Sequence, residues 1–162
     1  MDYAGLISIV QIEGIRIADA MFRTKLSNPE EAGELQATIG HRVKLVPSPL
    51  KGKLVYRVLF SFAVTPQKID EKVTPPEDLV TVKAAFELTY AVPPDGEQPD
   101  QKIIEDFGNM NVLFNAWPYW REFLQSTLGR MALPAFVTPV LRLLPPGSEQ
   151  KSEESTLEQG TV

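Results

Sequence analysis

Few side chains in this sequence could do acid–base or covalent chemistry. Asp19, set among apolar neighbours in IRIADAMF, is the carboxylate whose surroundings most favour a perturbed pKa. In an apolar cavity it could serve a small α+β hydratase-like or isomerase-like enzyme; on the wet face of a strand or bulge it would be purely structural. His41 is the one histidine, so multi-histidine metal sites are excluded, and beside Arg42 it reads as an ordinary strand residue. Cysteine is absent, which removes disulfides, thiolate nucleophiles and thiolate metal sites. There is no Walker loop, GxGxxG, HExxH or GxSxG. No catalytic residue, metal or cofactor is therefore expected, with an Asp19 pocket in the sheet as the alternative.

The remaining chemistry is hydrophobic, and it is concentrated between Asn109 and Leu133, NMNVLFNAWPYWREFLQSTLGRMAL. With Asn115 as cap and Pro118 in the first turn, where its missing N–H is harmless, a helix is expected to end near Gly129 or Arg130. Trp117, Trp120, Leu124 and Leu128 form one stripe, and Ala116, Tyr119 and Phe123 form a second beside it. Together they span about half the circumference, more than the ~100° a helix on a single core requires. Either the helix is deeply buried in one domain, or it covers its own sheet on one side and meets a subunit or polypeptide on the other. Arg121 and Glu122 fall on the polar arc. Trp117, Tyr119, Trp120 and Phe123 are large side chains with few torsions to freeze, suited to varied apolar partners.

Strands must position this helix. Near the N-terminus the apolar residues Ile7, Ile9, Ile12, Ile15, Ile17, Met21 and Phe22 are mostly β-branched, with a slip in alternation at Gly14 that predicts a bulge. Residues 26–40 read as a turn-rich loop, and His41 to Val46 as a second strand stopped by Pro47. A third strand runs from Leu54 to Val64, ended by Pro66, and a fourth from Val80 to Val92, each apolar on one face and polar on the other. Asp100 caps a short helix through Ile103, Ile104 and Phe107 that Gly108 should stop. Strands first and helices last predict an α+β fold, a four-stranded antiparallel sheet packed with a long C-terminal helix.

At 162 residues the chain fits one domain, taken as 1–144, followed by a disordered polar tail at 145–162 that holds four glutamates against one lysine. A net charge of −5 argues against nucleic acid, and no apolar run is long enough to insert in a membrane, so a cytoplasmic location is expected.

Pro118, Tyr119, Arg121 and Glu122 (PYWRE), then Gly129, Arg130, Leu133 and Pro134 (GRMALP), resemble the C-terminal signature of SecB and SecB-like export chaperones. Val43, Lys44 and Leu45 resemble the family's second-strand VKL, and Gln11 to Phe22 its first strand, so the likeness covers residues 9 to 142. It implies an ATP-independent holdase for non-native polypeptides, a homo-oligomer assembled as a dimer of dimers with helices between sheets, and a client groove lined by Val43, Leu45 and Tyr119. Trp117, Trp120 and Phe123 join that peptide-binding set from the helix pattern above. The chain departs from SecB in having only a polar tail after Pro146, where SecB has a further helix, so the groove would be more open or differently lidded. The family's acidic sheet surface contacts the motor SecA; Asp19 could belong to such a surface, but Arg23 breaks it. SecB-like chaperones without the last helix also occur with toxin–antitoxin pairs, where they shield an unstable antitoxin, which makes an antitoxin an equally fitting client. A purely structural oligomerisation domain is a third reading.

Overall fold

The computed structural model describes residues 1–26, 35–66, 77–93, 99–134 and 136–141. The expected tail at 145–162 lies outside them, as do most of the loop expected at 26–40 and of the connection from Pro66 to Asp78.

Four strands form one antiparallel sheet in the order β1-β4-β3-β2: β1 Gln11–Thr24, β2 Leu35–Val46, β3 Lys53–Pro66 and β4 Val80–Ala91. β1 carries register shifts at Ile12/Gly14 and Ile17/Asp19, the first at the expected bulge. β2 begins at Leu35 rather than His41, because its mixed composition suits an edge strand that pairs with β3 from Leu35↔Pro66 onward. Ile7 and Ile9, expected in the first strand, instead lie in a short helix, α1 Tyr3–Ile9. There the Asp2 carboxylate accepts from Gly5 N at 2.8 Å and Leu6 is fully buried, a local cap and anchor that override β-branched propensity.

The helical region is longer than expected. α2 Gln101–Phe107 starts at Asp100, whose side chain accepts from Ile103 N at 2.9 Å, as the sequence predicts. Gly108 does not stop it, because its backbone stays helical at φ −58°, ψ −51°. A π turn over Gly108–Val112 then leads directly into α3 Leu113–Arg130. Asn115 is thus no cap; its amide donates to the Tyr90 hydroxyl at 3.0 Å, and Pro118 sits inside the helix. Gly108 is needed for close approach: a Cβ there would stand 3.0 Å from the Tyr56 ring and 3.4 Å from Val43.

α3 ends in a Schellman arrangement, with Leu133 N bonded to Leu128 O at 3.0 Å and Ala132 N to Gly129 O at 3.1 Å. Ala132, at φ 54°, occupies the left-handed position usually held by glycine.

The core lies between α3 and the two central strands. Trp120 is fully buried and stacks on Phe60 with centroids 5.2 Å apart and planes 7° from parallel. Trp117 meets the same ring edge-on at 5.8 Å, and Phe123 meets Phe86 at 6.2 Å. Below them Tyr56, Tyr90 and Phe107 form a second aromatic group, with the Tyr56 hydroxyl donating to Ile104 O at 2.9 Å. Burial pushes both tyrosine hydroxyls above their ordinary pKa, so both stay neutral donors and acceptors.

Candidate functional site

One helix is too narrow for this sheet. An α-helix with side chains is roughly 10 Å across, whereas four strands spaced about 4.8 Å apart present half as much again. α3 packs on β3 and β4, and the π turn before it reaches β2 near Val43, so much of the helix-side surface of the two edge strands lies beyond α3 itself.

On β1, the register places Ile12, Ile17 and Phe22 on the helix side, opposite Tyr90, Phe86 and Val82. These β4 partners are at most 2% exposed, whereas Ile12, Ile17 and Phe22 are 48%, 48% and 59% exposed. The α3 flank that leans this way carries Asn115, which reaches Tyr90, and Phe123, which reaches Phe86. Tyr119 falls on the same flank by helical spacing and is half exposed. Together they border an apolar trough whose polar groups are the Asn115 amide, engaged by Tyr90, and the Tyr119 hydroxyl.

The opposite flank faces β3 and β2. Val43 and Leu45 lie on the helix side of β2, paired with Val58 and Tyr56. Val43 is half-buried near Gly108, and Leu45 is 42% exposed. Here the chain after α3 returns as an extended segment: Phe136 packs on Phe62 at 4.9 Å, and the Trp117 indole donates to Pro139 O at 3.2 Å. Thr138 is buried between them in sequence, while Val137 and Val140 face outward.

The six candidate residues therefore fall into three places. Val43 and Leu45 border the β2 trough, where Trp117 is already engaged by the returning segment. Tyr119 and Phe123 border the β1 trough. Trp120 lies beneath both, sealed in the core. The second stripe of α3 is the rim of that core rather than a separate face, since Ala116 is buried and Phe123 half-buried. Ile12, Ile17 and Phe22 join the candidates from their exposure alone; the strand pattern in the sequence does not carry the width of the cover that leaves them bare.

Asp19 lies on the other face of the sheet. It is exposed, at the edge of an open concavity of about 500 Å³ shared with Met21, Arg42, Leu59, Ser61 and Lys83. No closed pocket surrounds it. On the same face Glu87 is buried beneath two guanidiniums: Arg57 Nε donates to it at 3.1 Å, and Arg57 and Arg16 both pair with it. The bond from Arg57, then the charges of Arg16 and Arg57, hold the Glu87 carboxyl below the usual range despite its burial. His41, on β2, has its imidazole pulled below its ordinary value by partial loss of water, although the residue is exposed overall.

The sequence matches no family model and no curated protein. Among solved structures it is similar to the SecB-like chaperone Rv1957 of Mycobacterium tuberculosis, in complex with a ChAD peptide from the Rv1956 HigA1 antitoxin. That similarity has a TM-score of 0.71 at 19% identity and covers 85% of this chain and 95% of that one. A protein of unknown function from Streptococcus agalactiae aligns over 81% of this chain and 97% of its own, at 8% identity and a TM-score of 0.44, too loose to carry an argument. The four-stranded antiparallel sheet with its long helical cover is a SecB-like α+β fold.

Proposed function

We propose that this chain is an ATP-independent chaperone that holds non-native polypeptide segments in the troughs beside α3. The observation that carries the reading is the row Ile12, Ile17 and Phe22, left bare beside Tyr119 on a strand whose paired neighbour is sealed. Apolar surface without a convergent set of polar groups selects for hydrophobicity rather than sequence. Burying about 1,000 Å² of client would supply roughly 25 kcal/mol before association and ordering costs, which cancel most of it. Tyr119 and Phe123 would work with β1, and Val43 and Leu45 with β2; Trp117 would become available only if the returning segment moved.

The SecB-like fold supports a polypeptide client, and the antitoxin peptide held by Rv1957 makes an antitoxin the finer choice for this chain. Assembly as a homo-oligomer fits Phe114, 57% exposed on α3, and the buried Arg121 Nε, which finds no acceptor among the described residues. Delivery to SecA has weaker support, because the sheet face that would be acidic is here rich in arginine and lysine. A non-enzymatic role in the cytoplasm accords with this reading.

Titration calorimetry against several unrelated, permanently unfolded polypeptides, without nucleotide, tests it. Micromolar binding to all of them with a negative heat-capacity change is the expected result. Binding to a single antitoxin peptide would narrow the chaperone to one client. No binding to any polypeptide would overturn the reading.

A further inference from the structure

The face of the sheet turned away from α3 has its own charge pattern. By register, Arg16 and Arg23 on β1, Arg42 and Lys44 on β2, Lys53 and Arg57 on β3 and Lys83 on β4 all project there, against the carboxylates Asp19, Glu87 and Glu13, the last paired with Lys53. Glu87 is already shared by Arg16 and Arg57. Arg42, Lys44 and Lys83 have no ion pair among the described residues. Lys44 stands directly across the ladder from Arg57, an arrangement of like charges that costs the sheet stability. A chain of net charge −5 thus gathers unpaired cations on one flat face.

At the centre of that face the side chains are small. Gly40, Ser61 and Ala85 leave the concavity of about 500 Å³, with Leu59 and Met21 bringing apolar surface to it, Arg42 and Lys83 cationic groups, and Asp19 one carboxylate at its edge. It has room for a large apolar side chain together with flanking residues of an extended segment. None of the outward positions on the four strands is aromatic, so the face lacks the stacking platform that single-stranded nucleic acid uses.

We propose that this outer face docks an acidic segment of a second protein, one that places a large apolar side chain in the Gly40–Ser61–Ala85 dip and its carboxylates on Arg42, Lys44 and Lys83. The surface lies on the opposite side of the sheet from the client troughs, so both can be occupied together. Recruitment of the chaperone would then be separable from holding its client.

The test uses the full-length protein and a fluorescein-labelled peptide of glutamates flanking one central leucine. Fluorescence anisotropy should show salt-sensitive binding, weakened at least about tenfold in R42E/K83E. Affinity for an unfolded client should be unchanged in that variant, which also serves as the check that it is folded. A matched peptide of lysines and a poly-thymidine oligonucleotide should bind more weakly than the acidic peptide. Equal binding of the acidic peptide to the variant, its displacement by client, or tighter binding of the oligonucleotide would each overturn the proposal. In a variant with Glu149, Glu153, Glu154 and Glu158 changed to glutamine, unchanged peptide affinity supports a separate partner. A clear gain would overturn it in favour of the chain's own acidic tail.

Discussion

β4 and β1 lie side by side, pair along almost their whole length and both turn apolar residues toward α3, yet one is sealed and the other, apart from half-buried Ile15, is largely bare. Val80, Val82, Phe86, Leu88 and Tyr90 are at most 2% exposed. Across the ladder, Ile12, Ile17 and Phe22 keep about half their surface in water. Residue type does not separate them; distance from the helix axis does. Hydrophobic patterning specifies which face of a strand could be buried, and the width of the covering element decides how much of it is.

Substitutions sharpen this contrast. On the sealed side, Trp120→Ala removes the ring stacked on Phe60 and should cost about 3–5 kcal/mol, measured by urea unfolding. On the bare side, Phe22→Ala should change stability by only about 0.5 kcal/mol while weakening client binding severalfold in calorimetry. If Phe22→Ala destabilised the protomer as much as Trp120→Ala, β1 would have a cover, and the trough would not exist.

Glu87→Gln tests the polar clamp that joins the same two strands from behind. It should cost about 1.5–3 kcal/mol at neutral pH, the range for hydrogen bonds to a charged group. The sign with pH is fixed. Because the folded carboxyl titrates below its unfolded value, its stabilisation is complete well above about pH 4.3 and is lost as pH falls toward the folded value. Unfolding curves of wild type and variant should therefore converge in acid and separate near neutrality.

Smaller effects concern how the cover is held. Gly108→Ala should cost on the order of 1 kcal/mol by pushing the π turn off Tyr56, and Val43 should become more exposed to solvent as measured by hydrogen exchange at β2. Ala132→Gly should raise stability by about 0.5–1 kcal/mol, since glycine carries no steric penalty at that left-handed position. Thermal unfolding monitored by circular dichroism would read that gain.

Much of this architecture was legible from sequence. β3 and β4 alternate cleanly because they are half-buried against one helix, and Asp100 marks the true helix start because a cap acts locally. The errors were where non-local contacts decided. Asn115 has the composition of a cap, but Tyr90 takes its side chain. Gly108 reads as a stop, but it serves packing against Tyr56. Ile7 and Ile9 read as strand, but Asp2 and Leu6 make a helical turn of them. For the candidate site, family likeness proposes Tyr119, Val43 and Leu45, yet no linear pattern could tell that they lie beside different strands. Nor could it tell that Trp120, the most conspicuous aromatic, is the one given wholly to the core.

The π turn at Gly108–Val112 acts as a phase adjuster between two stretches of helix. An ideal α-helix advances 100° per residue, so adding one residue to a single turn rotates everything downstream by nearly a third of a revolution. Upstream, Phe107 points at Tyr56 and Tyr90; downstream, Trp117 and Trp120 point at Phe60. Deleting one residue from the turn would restore regular winding and turn the Trp117–Trp120 stripe off the sheet, bringing a different set of side chains against it. One surplus residue thus sets which aromatic rings seal the protomer and which remain at its rim.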